Sequence, residues 1–389
     1  MSYRRRLSPY ERLWIAAQTS CGFTMVEGQG KLSAQKLRAA VDIATAANPG
    51  SRLTLKGIGP WSYWEESAVP PSIEEVDGSD WDGWSMDGAP FSDQAHMDPK
   101  ASPSTSYVLI HGPTTRLVQR THHATMDGLG ALTYLQDVFR ALRGEAVIGA
   151  SGTETDLDLA RRLGGRKHQI DFNCLKPFAS ASTGISGSTW DRVRVNGKMK
   201  PQPLATLIHI ISKIARDSGE GQVLIDLPVN MRAQFPEIRN TGNLTGSLRL
   251  TVDATDSIDA IAKGIEQNVS AGRHADALIS AIPFLYMPIW LMRSVARSKA
   301  RQAVLKDQFA PTAVVSNLGR IDTAALSSAE FQAESAIIIP PAYDGVPLFL
   351  VISGHARGFD VSARAPVALA SEGRLRVLLQ QIAEQLAAA

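Results

Sequence analysis

With 389 residues, 44% of them hydrophobic and 20% charged, the chain is long enough for two packed lobes and too apolar to be disordered. A formal net charge of +2 excludes the strong field expected of a nucleic-acid binder, and the basic clusters at 4–6, 161–167 and 293–301 read as local solvated faces. Two distant cysteines, Cys21 and Cys174, make neither a disulfide framework nor a zinc spacing; no apolar leader follows the basic start, so a reducing cytoplasm is the expected compartment.

In chain order, Ser33 is placed to cap a helix over 34–47 whose apolar side holds Leu37, Val41 and Ile43/Ala44, and Asn48-Pro49-Gly50 stops it. Residues 51–57 read as a strand. Residues 65–98 hold ten acidic residues and no Lys or Arg, with Pro and Gly throughout. They predict a long irregular surface segment, tacked down by Trp61, Trp64, Trp81 and Trp84. An apolar strand over 106–111, turn residues at 112–115 and a returning strand over 116–121 make a hairpin. A helix over 127–144 follows, with Leu129, Leu132, Leu135, Phe139 and Leu142 near one face. Residues 176–189 are rich in Ser, Gly, Thr and Ala and read as a linker.

Beyond the linker, strands are predicted over 190–195, 222–229 and 245–252, the last with clean apolar–polar alternation. Helices are predicted over 204–217, 258–269 and 372–388, and strands over 312–318, 336–339 and 348–354. The apolar run 275–292 approaches the length of a membrane span, but Asp276, Pro283 and Pro288 interrupt it. It is read as a buried or tunnel-lining segment, with membrane-surface contact as the lesser alternative. The expected class is α/β (α+β) in two lobes: 1–175, the 176–189 linker, and 190–389.

Chemistry concentrates at His122-His123-Ala124-Thr125-Met126-Asp127-Gly128. A histidine between a strand and a helix sits where scaffold meets crevice, and its ordinary pKa of about 6.5 lets it take a proton near neutrality. Asp127 is also placed to cap the following helix. Gly128 allows close backbone approach, and Gly130 adds room in the first helical turn. Two histidines with one carboxylate lack a zinc spacing, so no metal is expected.

The segment matches the HHxxxDG signature and resembles the chloramphenicol-acetyltransferase-like superfamily, which includes peptide-synthetase condensation domains, polyketide-associated acyltransferases and wax-ester-synthase-like proteins. Leu7-Ser8-Pro9-Tyr10-Glu11, the run Leu227 to Arg232, Asn240 to Asn243, and Ser316 to Gly319 resemble further parts of that family, so the similarity spans nearly the whole chain. No Asp-Phe-Gly-Trp-Gly segment is present, which sets the chain apart from the plant-type branch.

The resemblance implies two lobes forming a pseudo-dimer around a central tunnel, which removes the need for the trimer of single-lobe relatives and leaves the oligomeric state open. It implies His123 as general base, His122 holding the loop, Gly128 keeping it tight, and Asp127 paired with an arginine, for which Arg232 is the candidate. Ser316 and Asn317 are candidates for an oxyanion or tunnel position, or for structural hydrogen bonding. The implied reaction moves an acyl group from acyl-CoA or a phosphopantetheinyl thioester to an amine or hydroxyl of a small-molecule acceptor, with no bound cofactor. Alternatives are a stand-alone condensation enzyme served by an acyl or peptidyl carrier protein, and a non-catalytic ligand-binding or scaffolding relative.

Overall fold

The computed structural model describes residues 3–17, 21–91, 97–166, 174–178, 187–197, 199, 201–343 and 345–388. The strands are β1 (Arg4–Arg6), β2 (Cys21–Gly30), β3 (Leu53–Lys56), β4 (Tyr63–Glu66), β5 (Ile73–Asp77), β6 (Thr105–His111), β7 (Thr115–His122), β8 (Ser188–Asn196), β9 (Val223–Asn230), β10 (Thr245–Val252), β11 (Ala313–Arg320), β12 (Phe331–Ile339), β13 (Phe349–His355) and β14 (Gly358–Pro366). The helices are α1 (Pro9–Ala16), α2 (Ala34–Ala47), α3 (Gly128–Leu142), α4 (Asp156–Arg162), α5 (Pro203–Asp217), α6 (Ile258–Ser270), α7 (Asp276–Ser280), α8 (Ile289–Lys306), α9 (Val367–Ala370) and α10 (Arg374–Ala388).

Local chemistry explains where the helices start. Ser8 and Glu11 form a reciprocal capping box with Pro9 at the first position of α1. Ser33 caps α2 and Asp127 caps α3, each accepting a backbone N–H from three residues on.

Two large sheets carry the molecule. The first has strand order β12-β2-β7-β6-β5, and the second has order β10-β9-β11-β13-β14-β8. A small sheet, β1-β4-β3, sits beside the first. Helices α2 and α3 cover one face of the first sheet through Leu37, Val41, Leu135 and Phe139, which meet Val26, Leu109 and Leu117. Its other face packs Phe23, Met25, Val108 and Val118 against Trp81, Phe91 and Trp190. One face of the second sheet packs its aliphatic residues under α5 and α10.

The second sheet's opposite face is polar and meets the first sheet. Asp226 and Arg249 stand opposite each other across β9 and β10, and Arg192 and Ser362 across β8 and β14. From this face Ser362 Oγ donates to the Ile338 carbonyl, and Arg192 and Arg194 reach Glu27 of β2 at 2.7 and 3.0 Å. Strand β12, late in the sequence, joins the first sheet by antiparallel pairing with β2, so the two halves are interlaced.

Several expectations need correction. The acidic stretch 65–98 is not irregular throughout: it holds the end of β4 and all of β5, which closes an edge of the first sheet. Of its tryptophans, Trp64 and Trp81 are buried, but Trp61 is 81% exposed and tacks nothing down. The strand expected over 51–57 shrinks to β3, because Pro49 starts a short 3-10 turn running to Arg52. The run 275–292 is buried only in part: Ala275, Ala277, Leu278 and Met292 are covered, whereas Tyr286 and Trp290 are each 71% exposed. No helix among the described residues is long and apolar enough to cross a membrane. Of the expected linker, 179–186 lies outside the described residues, as does Lys167 of the 161–167 cluster, while Ser188 and Thr189 already belong to β8.

Candidate active site

His122 ends β7 and His123 follows it into a tight loop. The His122 carbonyl accepts from Thr125 N at 2.9 Å and Thr125 Oγ1 at 2.8 Å, which folds the loop back on the strand. His122 is 2% exposed; its Nδ1 accepts from Ala124 N at 3.2 Å, and its ring lies 6.3 Å from that of Trp64. It is buried within the loop.

His123 keeps a partly exposed position. Its ring stands edge-on to Trp14 of α1, centroids 4.4 Å apart, and Trp14 in turn meets Tyr343 at 5.1 Å. Asn243, in the loop before β10, donates Nδ2 to the His123 carbonyl at 2.8 Å. The backbone of the histidine is thereby tied to the other sheet. Loss of water around the imidazole pushes its pKa down to about 4, against the opposing pull of the Asp127 charge and the Met126 backbone. The ring is therefore neutral at neutral pH, and the same loss of water makes it a weaker proton acceptor than a solvated histidine.

Asp127 joins the two sheets. Its Oδ1 accepts from Gly130 N at 2.7 Å; its Oδ2 accepts from Arg232 Nη1 at 2.8 Å, Leu244 N at 2.9 Å and Thr245 Oγ1 at 3.0 Å. Burial alone would raise the carboxyl pKa, but Arg232 and these N–H groups outweigh it and hold the pKa below the usual range. Arg232 also donates Nε to the Asn240 carbonyl at 3.0 Å and Nη2 to the Gly242 carbonyl. With its guanidinium so engaged, Arg232 is a fixed brace. One carboxylate thus both caps α3 and pairs with Arg232.

The glycines divide their work differently from the expectation. A Cβ at Gly128 would meet the tip of Ile338 from β12 at 2.5 Å, a side chain and not backbone. The close backbone approach is at Gly130, where a Cβ would lie 2.1 Å from the Thr241 carbonyl oxygen. Ser316 and Asn317 lie on β11 just before Leu318, which reaches within 3.6 Å of the Gly128 Cβ position. Asn317 is exposed, and its Oδ1 accepts from Gly319 N at 2.9 Å, a local structural bond. Ser316 alternates to the same side as Leu318, towards the first sheet.

Sequence reasoning did not single out Trp14 or Tyr343. Neither lies in a motif, and only the packing of α1 against the loop brings them to the histidine. Cys21 pairs with His122 across β2 and β7, but it is buried and its thiol is pushed up to about 12, so no thiolate forms there near neutrality.

No protein-family model and no curated protein sequence matches the chain. Solved structures do. The first condensation domain of the calcium-dependent antibiotic synthetase, in complex with a substrate analogue, aligns with TM-score 0.66 over 99% of this chain and 95% of its own at 15% identity. The fold is that of the condensation domains. The starter condensation domain of rhizomide synthetase in complex with C8-CoA aligns with TM-score 0.66 over 100% and 95% of the two chains at 16% identity. The epimerization domain from the third module of tyrocidine synthetase B aligns with TM-score 0.62 over 100% and 96% at 12% identity. The two-lobed fold of the condensation domains is therefore the fold of this chain.

Proposed function

We propose that this condensation-fold protein is a thioester-dependent acyltransferase with His123 as its general base. The observation that carries the reading is the state of that imidazole: neutral, partly accessible, and held at the meeting of the two sheets by Asn243 on its carbonyl and the Asp127–Arg232 brace behind it. In this reading 1–175 and 190–389 are the two lobes, 176–189 is the linker, and a tunnel between the lobes leads to His123.

The acceptor's N–H or O–H gives its proton to His123 as the acceptor attacks the thioester carbonyl. The new C–N or C–O bond forms, the C–S bond breaks, and the departing thiolate takes the proton from the imidazolium. His122, Asp127, Gly128 and Arg232 fix the loop and do not touch the reactants. Ser316 stands on the inward side of β11 as a candidate donor to the tetrahedral oxyanion.

A free acyl-CoA donor is supported by a neighbour of the same fold that was solved with C8-CoA. A carrier-protein-bound donor is the second reading, supported by the alignment of this chain with one third of a four-domain nonribosomal peptide synthetase. Mass spectrometry of products from a donor and acceptor panel tests both. Wild type should form an acylated product, and His123→Ala should lose about 10²–10⁴ in rate. Turnover of His123→Ala at the wild-type rate sinks the assignment. Activity with carrier-loaded thioesters and none with acyl-CoA selects the second reading.

A further inference from the structure

Arg12 of α1 is 1% exposed and pairs with no carboxylate among the described residues. Its guanidinium instead donates to three backbone carbonyls: Gly59 at 2.7 Å, Phe284 at 3.0 Å and Met287 at 2.8 Å. The loop after β3 and the segment leading into α8 are thereby clasped to one point. Each presents large apolar side chains outward: Ile58 is 84% and Trp61 81% exposed on the loop, and Tyr286 and Trp290 are each 71% exposed on the other segment. Single exposed hydrophobics are ordinary on any surface, but a fixed group of this kind marks an interaction site.

The charge along α8 is of one sign. Helix α8 reads IWLMRSVARSKARQAVLK, with cations and no carboxylate, and Met292 is its one buried residue. At 100° per residue, Trp290, Arg297 and Arg301 lie along one stripe, so the aromatic end and the basic face point the same way.

We propose that this face docks on an anionic lipid bilayer. Trp and Tyr favour the headgroup level of a membrane, and Arg and Lys beside them are drawn to anionic lipid. The shape favours lipid over an acidic protein. Side chains that stand out at 71–84% exposure would each need a matching hollow on a protein partner, whereas a bilayer interface accommodates them anywhere. The surface is one helix from the histidine: Trp14, two residues on from Arg12, has its ring 4.4 Å from that of His123.

The proposal is independent of the acyl-transfer reading, because binding is measured without turnover. The full chain is sedimented with vesicles of equimolar phosphatidylcholine and phosphatidylserine, and with phosphatidylcholine alone. Wild type should sediment with the mixed vesicles, less so at high salt and less with phosphatidylcholine alone. The double variant Trp61→Ala/Trp290→Ala should bind about tenfold or more weakly. Arg301→Glu, which leaves the apolar group intact, should lose at least about fivefold, the worth of one cation near such a surface. All of these positions are exposed, so thermal unfolding should match wild type. Absence of vesicle binding by wild type, or equal binding by the double variant, overturns the proposal. So does wild type that ignores vesicles and uses these same residues to bind an acidic, phosphopantetheinylated carrier protein.

Discussion

An imidazole whose pKa sits at about 4 has given up its proton long before the pH reaches neutrality. Were His123 the base, the acid limb of kcat/KM should fall well below the pKa of about 6.5 of an unperturbed histidine, so activity at pH 5.5 stays near its plateau. A limb at 6.5 or above would mean a solvated ring, at odds with the packing under Trp14. His123 and Asp127 should separate in their effects. His123→Ala removes a partly exposed ring and should cost rate with little stability. Asp127→Asn strips a buried carboxylate from Arg232, Leu244 and Thr245 and should cost about 3–5 kcal/mol of unfolding free energy, measured by urea titration. Equal stability losses in the two variants would contradict the division between reacting group and brace.

Elements whose ends are written in short-range chemistry were readable from the sequence. The caps at Ser33 and Asp127 and the alternation of β10 depend on neighbours a few residues away, and α2, α3 and β10 stand close to where the sequence places them. Strand β2 was missed because CGFTMVEGQG has glycines and a glutamate where a buried strand should be apolar. Gly28 is needed because β12 runs so close that a Cβ would meet the Gln332 carbonyl oxygen at 2.0 Å, and Glu27 because arginines wait across the lobe junction. Helix α4 hid for a similar reason. Its first residue, Asp156, is 1% exposed, and burial, followed by the charge of Glu11, pushes its pKa up to about 8. The folded state therefore holds this proton more tightly than the unfolded chain, whose carboxyl titrates near 3.8, and stability falls as pH rises through the interval up to about 8. Asp156→Asn should match wild type near pH 4 and be the more stable protein at pH 9. Thermal melts at the two pH values check this, and a variant that is less stable at pH 9 would refute a proton-bearing Asp156.

At the scale of the molecule, the two sheets meet through charge as much as through apolar contact. Glu27 receives Arg192 at 2.7 Å, Arg194 at 3.0 Å and Ser335 Oγ at 2.8 Å, with Arg116 Nε at 3.4 Å and Asp360 binding Arg194 from behind. The partners of Glu27 come from β7, β8 and β12, and Arg194 extends the network to β14, so a single carboxylate gathers strands that are distant in the chain. No local pattern in the sequence could have shown this, nor that β12 crosses to the first sheet. Burial opposes the charge on Glu27, but Arg192, Ser335 and Arg194 more than offset it and hold the pKa down to about 2. Because that lies below the ordinary carboxylate value, the network's stabilisation is complete above about pH 4.5 and is lost as pH falls through about 2. Glu27→Gln keeps the shape, removes the negative charge and leaves buried guanidiniums facing one another. At pH 7 it should cost about 3–5 kcal/mol, the penalty for breaking a buried ion pair from one side. Wild type should approach the variant's stability only in strong acid. A loss below about 1 kcal/mol at pH 7 would mean that solvent reaches the junction and that the lobes are held by their apolar contacts alone.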